Sequence, residues 1–509
     1  MKNHIKRLGK DSIIYGVGDA LKRMVVFLLL PVYTRYLTPT DYGRLELLMV
    51  TLNILFIIGS QGMGTAFSRF YGASRAELQS SELKRSELIR TSQYYLIFSS
   101  MVICGLLHIF SEQFSKLLFD QSDPHLTSFI KIIAFTSLFQ IMSVIPFMLY
   151  RVRLQPMKFI TVSLIGFFLQ AALNVYFVVV VKTGVKGILL GNAISALVVV
   201  IINLVSTKNV LFHTFSFLKL KHLLKFGLPL IPVGIFSWIM HFSDKFLLQK
   251  FATTHELGLY SIGSRFSNIV TLLIIGPFMM SWGAYCFQIA TTEHAKQTFK
   301  IITTYFLFIL CSISMGLVVL TPLVIKLMAG KQFWGAYIVV LPLVCANITY
   351  GMFYMFSLGI NITKKTHYFL YIMSFGATLN IILNIIFIPK FGMIGAGFVS
   401  FTSNLVIMLA TYSISQRLYY IPFEKARFLK ICSIFIIITG CSWAFQISNM
   451  LFDVLFRILL IVVFFLSLYL VKFLQNNEIN YIKRAYNNLL QQKGIYNKIK
   501  FGYGLIKVQ

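Results

Sequence analysis

Three charged residues lie together in the first long apolar stretch of the chain. Asp19, Lys22 and Arg23 stand at positions i, i+3 and i+4, so they share one face of a helix. A charge in the middle of a membrane helix costs about 2.5–3.5 kcal/mol on the insertion scale. Asp19 can neutralise one of the two cations, which leaves the other to bind an anion; arginine suits phosphate because its planar guanidinium holds two oxygens at once. The alternative is an ion pair with one extra cation near the membrane interface.

The same spacing recurs in the seventh apolar stretch, at His241, Asp244 and Lys245. One interpretation is again an ion pair near the interface, and the other is a polar track through the membrane. In the second case, Lys245 is a candidate cation for an anionic substrate. Asp19 and Asp244 are then the candidate carboxylates for a coupling proton or sodium ion.

Arg265 is the most isolated of these charges. It lies about two turns inside the eighth apolar stretch, and no acidic residue stands three or four positions from it. Two interpretations stay open at this point. The guanidinium either faces a wetted cavity, where it can bind an anion, or pairs with an acid on another helix.

The elements that must position these charges are membrane helices. Of the 509 residues, 57% are hydrophobic and 12% are charged, and the mean hydropathy is +0.78. Soluble domains carry about 25% charged residues, so the composition excludes a water-soluble protein. The six cysteines are scattered, almost all in apolar stretches, without a CxxC pair. The sequence therefore predicts no disulfide, no metal site and no cofactor.

Apolar stretches bounded by glycine, proline and charge predict an all-α polytopic membrane protein with about fourteen transmembrane helices. The predicted spans are 11–37, 44–70, 91–111, 126–150, 157–181, 185–205, 223–250, 257–289, 297–322, 334–361, 366–389, 392–416, 428–447 and 451–473.

The charge balance is strongly basic, with 46 Lys and Arg residues against 16 Asp and Glu and a net charge of +30. With the N-terminus inside, thirty of these cations fall in inner segments and nine in outer connections. Cytoplasmic loops collect Lys and Arg, which predicts that both termini are cytoplasmic. We attribute the excess to this topology and to anionic membrane lipids, with an anionic substrate as the alternative, and not to nucleic acid.

Two parts of the sequence resemble each other at a spacing of about 210 residues. Residues 36–43 read YLTPTDYG and residues 251–258 read FATTHELG, with an aromatic residue, a threonine, an acid and a glycine at matching positions. Each predicts a tight hairpin between two spans, in which the glycine is free to adopt a positive φ. A second match joins residues 173–187 to residues 379–395.

The repeat predicts two copies of six spans, both inserted the same way up, as in transporters with parallel repeats. The predicted organisation is an N-terminal six-helix lobe (1–210), a C-terminal six-helix lobe (211–420), two extra transmembrane helices (421–475) and a basic cytoplasmic tail (476–509).

Several motifs together resemble a known family. They are LLPVYTRYLTPTDYG at 29–43, QGMGTAFSRFY at 61–71, GLPLIP at 227–232, SDK at 243–245, GLYSIGSR at 258–265 and GMIGAG at 392–397. The sequence resembles the polysaccharide-biosynthesis flippases, the O-antigen and exopolysaccharide branch of the multidrug/oligosaccharidyl-lipid/polysaccharide exporter superfamily. The resemblance covers residues 10–415.

The resemblance implies two six-helix lobes around a central cavity and transport by alternating access. The implied substrate is an undecaprenyl-diphosphate-linked oligosaccharide, moved from the cytoplasmic to the outer leaflet of the bacterial inner membrane for O-antigen or another surface polysaccharide. Polysaccharide polymerase machinery is then a further partner. Lys22, Arg23, Lys245 and Arg265 are the cations expected to meet the diphosphate.

Three other classes of membrane protein are alternatives to a flippase. An ion-coupled multidrug exporter of the same superfamily would be expected to carry buried carboxylates for cationic drugs, whereas the charge within these spans is net basic. A membrane glycosyltransferase, polymerase or ligase usually places catalytic groups on a sizeable outer loop, and the longest here is about 112–125. HExxH, DxD and nucleotide-phosphate motifs are absent from the sequence, so a transporter is expected, not an enzyme. The repeat also disfavours a purely structural membrane protein.

Overall fold

The computed structural model describes residues 18, 21, 22 and 25, and then 27–76, 82–120, 123–207, 215–290, 292–445, 447 and 449–473. Within these residues the chain is helical and contains no β-strand, which confirms an all-α polytopic protein. The α-helices in chain order are α1 (Leu30–Tyr36), α2 (Pro39–Ser60), α3 (Met63–Ala76), α4 (Glu82–Ile109), α5 (Ser111–Phe119), α6 (Pro124–Met142), α7 (Val144–Val152), α8 (Pro156–Val175), α9 (Gly184–Thr207), α10 (Phe217–Gly227), α11 (Leu230–Phe251), α12 (Thr254–Val270), α13 (Gly276–Ile289), α14 (Ala295–Met328), α15 (Val340–Phe356), α16 (Leu358–Ile362), α17 (His367–Leu418), α18 (Lys425–Ala444) and α19 (Met450–Leu470). Tyr176–Val180 and Thr271–Ile275 are π-helical, and Lys331–Val339 is a 3-10 helix.

Twelve helices among the described residues are long and apolar enough to cross a membrane. One of them, α17, has 52 residues and contains a kink, so its two arms correspond to the predicted spans 366–389 and 392–416. The predicted first span, 11–37, lies largely outside the described residues, and its end is α1. The count of fourteen therefore stays a prediction.

The kink in α17 lies at Gly392, whose φ of 53° and ψ of −135° are not helical. The backbone N–H of Met393 donates to a carboxylate oxygen of Glu256 at 2.7 Å. A Cβ atom at residue 392 would lie 2.0 Å from that oxygen, and a positive φ is unfavourable for residues with a side chain. Glycine is therefore required where the carboxylate caps the second arm.

The predicted second span, 44–70, has the wrong boundaries. Helix α2 begins earlier, at Pro39, because Thr38 and Asp41 form a capping box in which each side chain accepts from the other's backbone N–H. It ends at Ser60, since Gln61 and Gly62 have φ of 47° and 63°. Residues beyond this break form the separate helix α3.

The chain packs as two compact units. The first comprises Met1–Ile269, Thr321–Phe356 and Lys364–Ile414, and the second comprises Val270–Leu320, Ser357–Thr363 and Ser415–Gln509. In the second unit Arg457 is buried, pairs with Asp453 at 3.0 Å and donates to the Val319 carbonyl at 2.6 Å. This is a structural ion pair, because each charge has its counter-charge inside the helix packing.

Candidate functional site

The two repeated hairpins pack against each other inside the first unit. A Cβ atom on Gly43 would lie 2.1 Å from the carbonyl oxygen of Thr254, and one on Gly258 would lie 1.9 Å from that of Pro39. Neither glycine has a positive φ, so the reason predicted for these glycines was wrong. They are needed because two helix N-terminal turns approach too closely for any side chain.

Beside these glycines lies a charged cluster, formed by Glu46 on α2, Asp244 and Lys245 on α11, and Tyr260 and Arg265 on α12. The Lys245 ammonium donates to the Glu46 carboxylate. The Arg265 guanidinium lies 3.5 Å from the other oxygen of the same carboxylate. One acid from the first half of the repeat thus holds two cations from the second half.

Exposure differs between the two cations of the charged cluster. The side chain of Lys245 is 9% exposed and that of Glu46 is 13% exposed, whereas that of Arg265 is 34% exposed. The guanidinium of Arg265 also stacks over the ring of Tyr42, 5.2 Å from the ring centroid. Arg265 is therefore paired with an acid on another helix and still accessible on one side.

Asp244 belongs to the same cluster but contacts different groups. The hydroxyl of buried Tyr260 donates to its carboxylate. The backbone N–H of Lys245 donates to the other carboxylate oxygen at 2.8 Å. His241 turns back along its own helix, with Nδ1 2.8 Å from the Ser237 carbonyl oxygen. Within the trio on α11, Lys245 therefore contacts Asp244 through its backbone N–H, while its ammonium pairs with Glu46 on α2.

The remaining predicted site residues are in the N-terminal segment. Asp19 and Arg23 lie outside the described residues. Lys22 is described, and its ammonium donates to the hydroxyl of Ser163 on α8. The structure thus brings Asp244, Lys245 and Arg265 together and places Lys22 in a separate cavity.

Sequence reasoning missed Glu46 as the partner of Arg265. A signal was present, because Glu46 has no cation three or four positions away in either direction, just as Arg265 has no acid. Two isolated opposite charges within spans are natural partners, since an unpaired charge in a membrane is unfavourable.

The first-half cavity has a volume of about 680 Å³. Its lining combines two cations, amides and hydroxyls with a larger number of apolar side chains: Lys22, Arg151, Asn53, Gln140, Gln170, Asn192, Ser143, Ser163 and Ser195, with Met49, Leu52, Phe56, Phe139, Val144, Phe147, Met148, Phe159, Gly166, Phe167, Ala196 and Val199. The guanidinium of Arg151 lies 4.6 Å from the ring centroid of Phe159. The amide of Gln170 donates to that of Asn192 at 2.7 Å. This lining offers hydrogen bonds and positive charge.

The second-half cavity has a volume of about 470 Å³. Its lining is mainly aromatic and aliphatic: Val233, Phe236, Met240, Tyr350, Phe353, Tyr354, Phe369, Leu370, Met373, Ala377 and Ile407, with Ser237, His241, Ser374 and Asn404. The hydroxyls of Tyr350 and Tyr354 bind each other at 2.6 Å. This lining therefore offers chiefly apolar surface.

The two cavities occupy equivalent places in the repeat. Phe159, Ser163 and Phe167 line the first, and the residues 210 positions later, Phe369, Met373 and Ala377, line the second. The backbone packing beside them also matches. A Cβ on Gly166 would lie 2.4 Å from the Val199 side chain, and one on Gly376 would lie 2.3 Å from that of Ile407.

The charged cluster lies one helical turn from both cavities. Glu46 precedes Met49, which lines the first-half cavity, by three residues on α2. Lys245 follows His241, which lines the second-half cavity, by four residues on α11. An amphiphilic molecule with a charged group at the cluster could extend toward either cavity. Within the described ranges, no group of three His, Cys, Asp or Glu residues is arranged to hold a metal ion.

Comparison with known proteins gives both a family and a fold. Residues 32–339 match the family described as polysaccharide biosynthesis protein. The chain is also similar to Lsg locus protein 1 of Haemophilus influenzae, with 28% identity over 276 residues. That match covers 52% of this chain and 62% of the relative, so the chain spans less than two thirds of the relative's length.

Among solved structures, the fold is similar to that of the lipid II flippase MurJ in an inward closed conformation. The TM-score is 0.68 at 16% identity, over 89% of this chain and 98% of MurJ. It is also similar to the inward-facing conformation of a multidrug resistance MATE family transporter of the MOP superfamily. That TM-score is 0.59 at 13% identity, over 78% and 94% of the two chains. At such low sequence identities, these similarities show a shared fold and not a shared function.

Proposed function

The chain belongs to the polysaccharide biosynthesis protein family, and from this premise we propose that it is a flippase for a lipid-linked oligosaccharide. The proposed substrate is an undecaprenyl-diphosphate-linked oligosaccharide, moved from the cytoplasmic to the outer leaflet of the bacterial inner membrane. The product would serve O-antigen or other surface polysaccharide synthesis. The protein acts as a transporter, with membrane lipids and polysaccharide polymerase machinery as its partners.

The observation that carries this proposal is the chemistry of the first-half cavity. The chain has 57% hydrophobic residues, so apolar side chains are available to fill its interior. Packing alone therefore does not explain two cations and four amides in the lining of this cavity. Amides both donate and accept hydrogen bonds, as sugar hydroxyls require. Lys22 and Arg151 supply the positive charge that a phosphorylated head group needs when it leaves water.

The cations of the charged cluster supply a second contact for the diphosphate. Arg265 and Lys245 share the single carboxylate of Glu46, so a diphosphate can compete with Glu46 for them. Arg265 is the more accessible of the two, and its planar guanidinium suits phosphate oxygens. We propose that Arg23 also contacts the diphosphate, on the basis of its position in the sequence.

Alternating access requires the two halves of the repeat to separate where they now meet. The glycine contact between the hairpins and the Glu46 ion pairs join α2 to α11 and α12. We propose that these contacts break when the site faces outward. The two predicted lobes and the cytoplasmic position of both termini are part of this proposal, and Asp19 and Asp244 are its candidate sites for a coupling proton or sodium ion.

A multidrug exporter is the second candidate, favoured by the fold likeness to a MATE family transporter. A cationic drug needs an available carboxylate. Both carboxylates of the charged cluster are engaged, Glu46 by two cations and Asp244 by Tyr260 and a backbone N–H. The engaged carboxylates disfavour a cationic drug at the cluster, and the cations Lys22 and Arg151 in the first-half cavity favour an anionic substrate.

The test is complementation of surface polysaccharide display in a flippase-deficient strain. Lys22→Ala and Arg265→Ala should each reduce display at least tenfold, because each removes positive charge from the path of the diphosphate. Arg265→Lys should keep part of the activity, since it retains charge but loses the bidentate geometry.

Lys116→Ala is the matched control, because Lys116 is an exposed cation on α5 away from both cavities, and it should display polysaccharide normally. Immunoblots of membrane fractions confirm equal abundance of all variants. Normal display by the Lys22→Ala, Arg265→Ala double variant would overturn the proposed contact with diphosphate. Loss of drug resistance with normal display would favour the exporter.

A further inference from the structure

We propose that the second-half cavity binds the polyisoprenyl chain of the transported lipid, an inference that rests on the proposed function. The first-half cavity would then receive the sugar, and the charged cluster would lie beside the phosphates. The two ends of one amphiphilic substrate would thus be divided between two repeat-related cavities.

The lining of the second-half cavity matches hydrocarbon better than sugar. Aromatic, aliphatic and thioether side chains, including those of Phe236, Met240, Phe353 and Met373, form most of the surface. Methionine and aromatic side chains make good dispersion contacts with apolar groups of irregular shape. An apolar cavity does not hold water well, so a hydrocarbon chain fills this one more favourably than solvent does.

Several of the polar groups that line this cavity already make hydrogen bonds. The hydroxyls of Tyr350 and Tyr354 are 2.6 Å apart, and His241 Nδ1 is 2.8 Å from the Ser237 carbonyl oxygen. The Asn404 amide donates to the Ala346 carbonyl at 3.4 Å. A sugar would have to break these contacts to bind, because a hydroxyl buried without a partner is unfavourable. A polyisoprenyl chain leaves them intact.

The mouth of the cavity is apolar as well. Val233, Phe236 and Leu370 line the cavity and are 63%, 56% and 66% exposed. These apolar side chains form no polar rim at their positions, so a hydrocarbon chain can enter past them. This opening distinguishes the cavity from an enclosed packing defect.

The neighbouring charged cluster lies one helical turn from the apolar cavity, which suits a lipid whose hydrocarbon is joined directly to phosphate better than a phospholipid, in which glycerol and ester groups separate the two. One turn beyond His241 on α11, Lys245 and Arg265 meet Glu46. A lipid whose phosphate lies at these cations has its first isoprene units beside the cavity. The same surface therefore offers consecutive sites for a phosphate and for the hydrocarbon attached to it.

The test uses a sugar-free probe, polyisoprenyl monophosphate with a diazirine near the phosphate, bound to the full-length protein in phosphatidylethanolamine nanodiscs. After photolysis, mass spectrometry should locate adducts within residues 233–241 and 350–377. Ser374→Phe fills the cavity from α17 and should reduce these adducts at least fivefold. Ser413→Phe, the same change on an exposed part of α17 outside the cavity, should leave them within twofold of the unsubstituted protein.

Met373→Gln is a second variant in case Ser374→Phe does not fold; it keeps the side-chain length but adds polarity, and should also lower adduct yield. Adducts elsewhere in the protein, or equal yield in all variants, would overturn the inference. Equally effective competition by phosphatidylglycerol and by unlabelled polyisoprenyl phosphate would also overturn it, since the site would then be a general lipid groove. Because the probe lacks sugar, cavity adducts in a protein that transports no lipid-linked oligosaccharide would overturn the proposed function and leave polyisoprenyl binding intact.

Discussion

The first-half cavity adds two cations and four amides to an apolar lining, whereas the cavity at the equivalent place in the second half is mainly aromatic and aliphatic. The packing beside the two cavities is similar, with Gly166 against Val199 and Gly376 against Ile407. Their side chains differ at corresponding positions. Ser163, which accepts from Lys22, corresponds to Met373.

This difference separates what the repeated fold supplies from what individual residues supply. The repeated helices form two cavities at equivalent places, because small residues at the helix interfaces determine how closely the backbones pack. The side chains that point into each space decide its chemistry. The substrate that we propose has a charged, hydroxyl-rich head and a hydrocarbon tail; the cations and amides of the first-half cavity suit the head, and the apolar second-half cavity suits the tail.

The largest effect is expected from Glu46→Gln, at the cluster that adjoins both cavities. The substitution leaves Lys245 and Arg265 without their shared counter-charge, and removing one partner of a buried ion pair costs about 3–5 kcal/mol. Thermal unfolding of the purified protein in detergent should show a clear loss of stability. Polysaccharide display should also fall, because Lys245 and Arg265 lose the carboxylate that holds them in position.

The control for this prediction is Glu293→Gln, since Glu293 is exposed and its loss should change stability by less than about 0.5 kcal/mol. Adding Lys245→Met to Glu46→Gln should restore part of the lost stability, because it removes a stranded buried cation. Equal stability of Glu46→Gln and Glu293→Gln would contradict the pairing across the two halves.

A reciprocal exchange between the cavities is the next most informative change. Ser163→Met makes the first-half cavity resemble the second and removes one acceptor for the Lys22 ammonium. Display of polysaccharide should fall about tenfold, roughly 1.4 kcal/mol in transport free energy. Met373→Ser makes the opposite change and should reduce display less than threefold, because a serine can bind its own helix carbonyl.

The amount of surface polysaccharide is measured for each variant at equal protein abundance. If Met373→Ser proves as damaging as Ser163→Met, the two cavities do not differ in function as proposed. If neither variant matters, the polar character of the first-half cavity is unrelated to transport.

The smallest effect is expected in the second unit, at Glu424, which precedes α18 and lines neither cavity. Burial raises the pKa of Glu424, but hydrogen bonds from Arg427 and Lys300 outweigh it and hold the pKa below its usual value of 4.5. A carboxylate with a lowered pKa stabilises the folded state above about pH 4.5, and this contribution is lost as the pH falls through the lower value.

Unfolding measured between pH 7 and pH 3 should therefore show a steeper loss of stability in the unsubstituted protein than in Glu424→Gln. At pH 7 the substitution should cost about 1 kcal/mol and leave polysaccharide display within twofold of normal. A large loss of display would mean that the ion pairs of Glu424 with Arg427 and Lys300 take part in transport. The second unit would then contribute to transport as well as the two cavities.

Local features of the sequence predicted much of the fold. The low charged fraction and long apolar stretches indicated a helical membrane protein, and the repeated motif indicated the hairpins that the structure contains. Lys390 and Gly392 correctly marked the break between two spans, because a positive φ is a local property of glycine. The end of α2 at Ser60 was missed, since an apolar stretch does not reveal a left-handed residue such as Gln61.

The sequence by itself determined which charges lie within the spans, because that depends only on position along the chain. Only the tertiary structure decided their partners. Glu46 and Arg265 are 219 residues apart and meet because α2 and α12 face each other, and no periodicity along a single helix encodes that contact. The same holds for the cavities, whose polar and apolar linings come from separate helices that only packing brings together.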